Sequence, residues 1–284
     1  MGRGRLQRGG ALMTRLVFVD MDDTFLSPDK SVSAENMAIL DEALRRGVQF
    51  VPCTGRNVTG VPCELSEHPS VRYAVCCNGA LVCDVRTHEV LREVDIDKGL
   101  VRSLYADVRD LPITFDLFAD GIVYTASDRW PLLDRLCLTP EGLAPIKRVR
   151  TCFDGTVDEM IGAVGDICRI NVFYLDEKDA RSVWAAVDAR PELIRSSSLP
   201  CNVEITCAEA HKGSGLRWLC DHLGVDLADV VAFGDSSNDL TMLEVAGDGV
   251  AMANASDECK AVADHVCGSC AESGVARYLR SLWA

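Results

Sequence analysis

Aromatic side chains are scarce in this chain of 284 residues, at 6% of the total, and they are not spaced as a platform on which bases stack. Basic residues are outnumbered, with 29 Lys and Arg against 43 Asp and Glu. The resulting formal charge of -14 speaks against nucleic acid or an anionic membrane surface as the partner. Histidines number five and are dispersed, so no imidazole-based metal site is expected, and His211 is not read as a ligand. No apolar run approaches the roughly 20 residues that span a bilayer. The basic opening MGRGRLQRGG leads into a strand-like segment with no signal-peptide core, so a soluble, cytoplasmic protein is expected. Residues 1–13 read as a loose tail, with Met13 as an alternative start. No internal repeat or low-complexity segment stands out.

Cysteine, by contrast, is abundant. The 14 thiols show no regular framework, and several sit in apolar runs such as Ala74 to Cys77, which points to reduced, buried side chains. Cys267 and Cys270 in "CGSC" have metal or redox spacing, but no second pair or histidine cluster accompanies them.

With 48% hydrophobic residues the chain can bury a sizeable core in one or two domains. Strand and helix signals alternate at both ends. LVFVD is followed by a helix from about Ser33 to Arg46, with Ser33 as cap, Val32 and Met37 as staple and Gly47 as stop. VQFVPC runs into Thr54-Gly55-Arg56, and YAVCC runs into Asn78-Gly79-Ala80, which reads as a tight turn. Near the other end a helix bearing Leu216, Leu219 and Leu223 stops at Gly224, and VVAF then runs into Gly234-Asp235. Polar residues thus recur directly after buried strands, and in an open parallel sheet that is where ligands bind. The middle differs. VLREVDI, ITFDLF, GIVYTA, ICRINVFY and NVEITC read as strands, Lys98 to Arg109 and Glu177 to Ala189 as helices, and Pro131 to Pro145 as an irregular connection. The fold class is therefore α/β: a Rossmann-like parallel-sheet core in two segments, 1–83 and 209–284, with an inserted α+β cap at 84–208.

Asp20, Asp22 and Asp23 crowd the end of the first apolar strand, and "GDSSNDLTML" sets Asp235 and Asp239 at another, with Asn238 between them. Acids from two strand ends suit a hard divalent ion of the Mg²⁺ kind, which offsets their repulsion and bridges to a phosphate. Taken singly, each residue has a plainer reading: Asp22 or Asp239 as a turn or capping residue, Thr54-Gly55 as a turn, Lys212 as a solvated lysine, Arg56 as a surface ion pair as readily as a substrate contact.

Their order is what counts. Asp20-Met21-Asp22-Asp23-Thr24, Thr54 in "CTGR", Lys212 in "HKGSG" and "GDSSND" resemble, in sequence, the four motifs of the haloacid dehalogenase-like phosphatases, in the Cof-like branch with a large cap between the second and third motifs. "NGA" at Asn78 and "VAMANA" from Val250 extend the likeness over both core segments. The resemblance implies Asp20 as nucleophile and Asp22 as general acid and base. It implies metal coordination by Asp20 and Asp235, by the backbone carbonyl of Asp22, and by Asp239 directly or through water. Thr54, Gly55, Lys212 and Asn238 would receive the phosphate, and Asp23 would have no direct role. The expected reaction is Mg²⁺-dependent hydrolysis of a small-molecule phosphate ester, with oligomeric state open. A sugar phosphomutase or a non-catalytic phosphate-binding regulator remains as an alternative. Turns around Phe118 to Gly121 are expected to face the cleft from the cap.

Overall fold

The computed structural model describes residues 14–197 and 199–284. The expected tail at 1–13, with Met13, lies outside the described residues.

The core sheet is parallel. β1 (Leu16–Val19) lies between β2 (Gln49–Pro52) and β12 (Val230–Gly234), and β13 (Asp248–Ala251) and β14 (His265–Val266) complete the order β14-β13-β12-β1-β2. β1 is buried along its whole length, as a strand covered on both faces must be. The helix Ala34–Arg46 is capped as its sequence implies: Ser33 Oγ accepts from the Asn36 N–H, and Gly47 closes it in a left-handed conformation at φ 70°. The helix Lys212–Leu223 is capped by His211, whose Nδ1 accepts from the Ser214 N–H at 3.1 Å.

β3 (Tyr73–Cys76), β4 (Leu81–Asp84) and β5 (Val90–Glu93) form an antiparallel ribbon, and parallel bridges Phe50 to Val71 and Cys53 to Val75 join it to β2. β5 comes from VLREVDI, read from sequence as the first cap strand. It pairs with β4 instead, and Leu91 and Val94 pack on the core cluster, whereas the cap's own cluster starts at Ile96. We therefore place the start of the cap after Val94 rather than at residue 84. Alternating strands look alike in either sheet, so the sequence pattern does not separate them.

The cap sheet has the order β10-β11-β9-β6-β7-β8, from β6 (Asp116–Ala119), β7 (Ile122–Ala126), β8 (Arg150–Phe153), β9 (Ile167–Phe173), β10 (Leu193–Ser196) and β11 (Asn202–Cys207). Its pairings are antiparallel except β7 with β8. Helices Lys98–Val108, Val157–Ala163 and Glu177–Asp188 bury Leu104, Met160 and Val183 against Leu117, Ile170, Val172 and Ile205 of one sheet face. The other face carries Arg169 and Glu204 toward the core. The stretch Pro131 to Pro145, expected to be irregular, holds a 3-10 turn at Trp130–Arg135 and a helix at Pro140–Arg148. Thr139 caps that helix by accepting from the Gly142 N–H, and Pro140 fills the first-turn position that a missing N–H suits. Among the described residues no helix is long and apolar enough to cross a membrane.

The turn between β3 and β4 is pressed against the start of the helix Lys212–Leu223. Cys77, Asn78 and Gly79 all have positive φ, and a Cβ on Gly79 (φ 99°) would lie 2.1 Å from the His211 carbonyl oxygen. Backbone meets backbone there, with no flexible atom to yield. Gly79→Ala is expected to destabilise the protein by roughly 2 kcal/mol or more, read as a lowered urea midpoint at unchanged slope.

Candidate active site

Three strand ends and one helix start meet at a single point. Asp20 follows β1, its N–H donating to the Phe233 carbonyl of β12 at 3.0 Å, so the two acid-bearing strand ends are locked side by side. Thr54 follows β2, with its N–H on the Val75 carbonyl at 2.8 Å. Asp235 follows β12, and Lys212 opens the helix beneath.

Lys212 is completely buried, and its Nζ donates to Asp20 Oδ1 and Asp239 Oδ1, both at 2.6 Å. Burial works against its charge, yet Asp20 and Asp239 outweigh that and hold the ammonium well above its usual pKa. The second oxygen of Asp239 accepts from the N–H groups of Asp235 (2.9 Å) and Ser236 (3.0 Å). Asp239 therefore fixes both the lysine and the loop. Asp235 accepts from hydroxyls only, Thr24 Oγ1 at 2.8 Å and Ser236 Oγ at 2.8 Å. Burial raises the Asp20 pKa, as do Asp239 and Asp235, against the pull of Lys212. Asp235 is likewise pushed up by burial and by Asp239.

Asp20, Asp235 and Asp239 each bring a carboxylate oxygen within 4.8 Å of the others. Three acids against one ammonium leave excess negative charge, and the donor set is all oxygen, which fits a hard divalent cation. Asp20 and Asp235 have the carboxylates best suited to hold it, since Asp239 is tied up by the Lys212 ammonium and two backbone N–H groups, whereas Asp235 accepts only from two hydroxyls that can turn.

Asp22 was expected to meet the metal through its backbone carbonyl and to act through its side chain as acid and base, and that side chain lies outside the trio. It turns to Arg56, which grips it with two bonds, Nε to Oδ2 at 2.9 Å and Nη2 to Oδ1 at 2.7 Å, while Lys30 stands 3.3 Å away. Burial opposes ionisation of Asp22, but the Arg56 bonds and charge, with Lys30, more than offset it and hold its pKa below the ordinary carboxylate value. The physical reason for the placement is backbone shape: Asp22 is extended (ψ 126°) and Asp23 left-handed (φ 59°), which swings the Asp22 side chain away from Asp20. Asp23 is exposed and pairs with Lys30 at 3.2 Å.

A cavity of about 130 Å3 lies over these groups, lined among others by Asp20, Thr54, Gly55, Asn238, Arg169 and Glu204. Arg169 and Glu204 come from the cap and were not singled out from sequence. Their signal was a charge inside each of two mostly buried strands, ICRINVFY and NVEITC. Arg169 stacks on Phe118, 3.8 Å from the ring centre, donates to the Gly55 carbonyl, and stands 3.4 Å from Glu204 Oε1. Glu204 Oε2 accepts from Asn78 Nδ2 at 2.6 Å, and Asn78 Oδ1 accepts from Asn238 Nδ2 at 3.1 Å. A cap-to-core chain of polar contacts thus roofs the acids. Gly55 is bare where it must be: a Cβ would sit 3.0 to 3.2 Å from Asn78, Arg169 and Glu204. Phe118 reaches this roof, but Asp120 and Gly121, expected to face the cleft, line a separate neighbouring cavity.

Replacing Lys212 by Met leaves Asp20 and Asp239 without their shared counter-ion in a dry site. A loss of roughly 3 kcal/mol in unfolding free energy is expected, measured by denaturant titration without divalent ions.

The sequence pattern of the haloacid dehalogenase-like hydrolases matches residues 17–279. The chain is 34% identical over 276 residues to the putative phosphatase YxeH of Bacillus subtilis, covering 95% of this chain and 98% of that protein. Phosphatase YwpJ of the same organism is 28% identical over 290 residues, covering 94% and 99%. Among solved structures, a haloacid dehalogenase-like hydrolase from B. subtilis superposes with a TM-score of 0.80 at 27% identity, covering 94% of this chain and 99% of that one. The phosphatase BT1666 of Bacteroides thetaiotaomicron gives 0.79 at 26%, covering 99% of each. With the parallel core, the inserted cap and the ordered motifs in hand, the chain belongs to the haloacid dehalogenase-like hydrolases and is a Cof-like phosphatase.

Proposed function

We propose that the protein is a Mg²⁺-dependent phosphatase that hydrolyses a small phosphorylated metabolite through an aspartyl-phosphate on Asp20. The observation that carries this is the position of Asp20: bonded to Lys212 at 2.6 Å, within 4.8 Å of Asp235 and Asp239, at the floor of a cavity roofed by cap residues. Asp20 and Asp235 side chains, with the Asp22 backbone carbonyl, are the residues that would hold Mg²⁺. When bound, the ion supplies positive charge between these acids and a phosphoryl dianion.

In this reading a carboxylate oxygen of Asp20 attacks phosphorus, the bond from phosphorus to the ester oxygen breaks, and Asp22 gives that oxygen its proton. Water then gives a proton to Asp22 and attacks the same phosphorus, releasing phosphate and restoring Asp20. Lys212 Nζ and Thr54 Oγ1 stabilise charge on the transferring group, because catalysis of this transfer is mostly positioning and electrostatics. Asp22 must leave Arg56 and take up a proton from solvent before it can protonate the leaving-group oxygen, since the pair holds it ionised. Asp239 orients Lys212 and is not itself assigned to the ion. The small polar cavity, with a guanidinium and a carboxylate in its roof, suits a compact leaving group able both to donate and to accept hydrogen bonds. We place the activity in the cytoplasm, where fourteen free thiols stay reduced.

Phosphate release from a panel of metabolite esters, with and without Mg²⁺, tests the reading; isomer formation without phosphate release would mark a mutase instead. Asp20→Asn is expected to lower turnover at least about 10³-fold, and normal turnover by that variant refutes the nucleophile. Asp22→Asn should accumulate phosphorylated enzyme only with esters whose leaving group departs unprotonated, as seen by intact mass. Saturating Mg²⁺ should raise the wild-type melting temperature by roughly 2–4 °C and leave Asp235→Asn unmoved.

A further inference from the structure

The polar roof over the acids has a direction. Glu204 and Asn78 are buried, and Asn78 Nδ2 donates to Glu204 Oε2 at 2.6 Å, with Ser196 Oγ 3.3 Å from the same nitrogen. A carboxylate accepts and cannot donate. It therefore fixes which end of the Asn78 amide it meets, and Asn78 Oδ1 is turned the other way, where it accepts from Asn238 Nδ2 at 3.1 Å. The same logic passes to the second amide. Asn238 must offer its NH2 to an oxygen, so its own Oδ1 is what remains. One charged group of the cap thus decides, through two amides of the core, which atom of Asn238 is left for a ligand. Glu204 is itself held from behind. Fully buried Asp116, gripped by Arg150 at 2.9 and 3.1 Å, accepts from Asn171 Nδ2 at 3.1 Å. Asn171 Oδ1 then accepts from Asn202 Nδ2 at 3.0 Å, and that nitrogen stands 3.5 Å from Glu204 Oε1. Asn171 lies beyond the bulge at Cys168 in β9, directly opposite both Asp116 and Glu204 on the neighbouring strands.

Two atoms are left over. Asn238 Oδ1, an acceptor, and Arg169 Nε, a donor, are buried without a hydrogen-bond partner among the described residues, and both side chains line the cavity above Asp20. Native structures leave few such groups unpaired. The docked cap seals both atoms from solvent, so a ligand meets them as the cap closes over it. We propose that Glu204 is a positioning residue for leaving-group choice: by orienting Asn78 and hence Asn238, it presents an amide oxygen that, together with the Arg169 N–H, selects leaving groups bearing a hydroxyl beyond the ester oxygen.

A hydroxyl both donates and accepts, so it answers both leftover atoms. A carboxylate answers Arg169 only, an ammonium Asn238 only, and an alkyl chain neither. A site built to bond a hydroxyl rejects the analogue that lacks it, because its own buried groups are then stranded. Asn238 accordingly serves the leaving group rather than the phosphate, since an amide oxygen repels a phosphoryl dianion. The proposal rests on the phosphatase reading for what occupies the cavity; the direction of the amide chain does not.

The test uses the full chain with Mg²⁺ and pairs of esters that differ only in hydroxyls: glycerol 1-phosphate against propyl phosphate, and inositol 1-phosphate against cyclohexyl phosphate. The readout is the ratio of kcat/KM within a pair, which a general loss of folded or active enzyme does not move. The wild type should favour the hydroxylated ester on the order of tenfold or more in at least one pair. Glu204→Gln, whose amide donates as well as accepts and so frees the Asn78 amide to turn over, should lower that ratio about tenfold. Asn238→Ala should lower it alike, and the double variant should lose no more than either alone, because Glu204 acts through Asn238. If Glu204→Gln does not fold, Asn78→Ala cuts the chain at its middle and takes its place. A wild-type ratio near one in both pairs overturns the site. An unchanged ratio in Glu204→Gln, or losses that multiply in the double variant, overturns the relay. If no ester turns over, the phosphatase reading fails alone: the esters are then stable ligands, and the same ratio, taken from their Kd values by calorimetry, decides the proposal.

Discussion

A single ammonium group organises the centre of this protein. Lys212 is sealed from water between Asp20 and Asp239, and an ion in that setting persists only if every donor is well matched. Satisfying it draws together the end of β1, the loop after β12 and the first turn of a helix that is far away in sequence. The crowding of acids after β1 is thus balanced partly by the protein's own cation. The remaining negative charge, concentrated on Asp20 and Asp235, is what makes the place receptive to a divalent ion. Asp239, whose oxygens serve the lysine and two backbone amides, gives the arrangement its stiffness.

Around that point the topology does the rest. Parallel strands put their carboxyl ends on one edge, so β1, β2 and β12 deliver an acid, a hydroxyl and another acid to the same region without long loops. The hairpin of β3, β4 and β5 widens the sheet beyond β2 and provides a shelf on which the cap sits. Two features of this shelf depend on tight backbone: Gly79 against His211, and Gly55 under Arg169 and Glu204. Both are places where a side chain would hold apart units that need to touch.

Much of this was legible in the sequence, and the reason is local. Asp20, Thr54, Lys212 and Asp235 each follow a buried strand or open a helix, so periodicity alone sets them at an edge, and the ordered motifs bring the edges together. The helix from Ala34 to Arg46 was legible because Ser33 and Gly47 state its ends chemically. What escaped was non-local. Arg56 and Asp22 pair across a gap in sequence that no spacing rule covers. VLREVDI alternates as well for a core ribbon as for a cap strand. Arg169 and Glu204 were hidden because which face of a two-sided sheet meets the core is decided by docking, and the bulge at Cys168 shifts that face by one residue.

The stacking of Arg169 on Phe118 has an evolutionary corollary. Both partners belong to the insert, at a ring-centre distance of 3.8 Å, so part of the guanidinium's aim comes from its own module and part from the Gly55 carbonyl of the core. An evolutionary change confined to the inserted segment would therefore alter the cation over the cleft without touching the acids of the core.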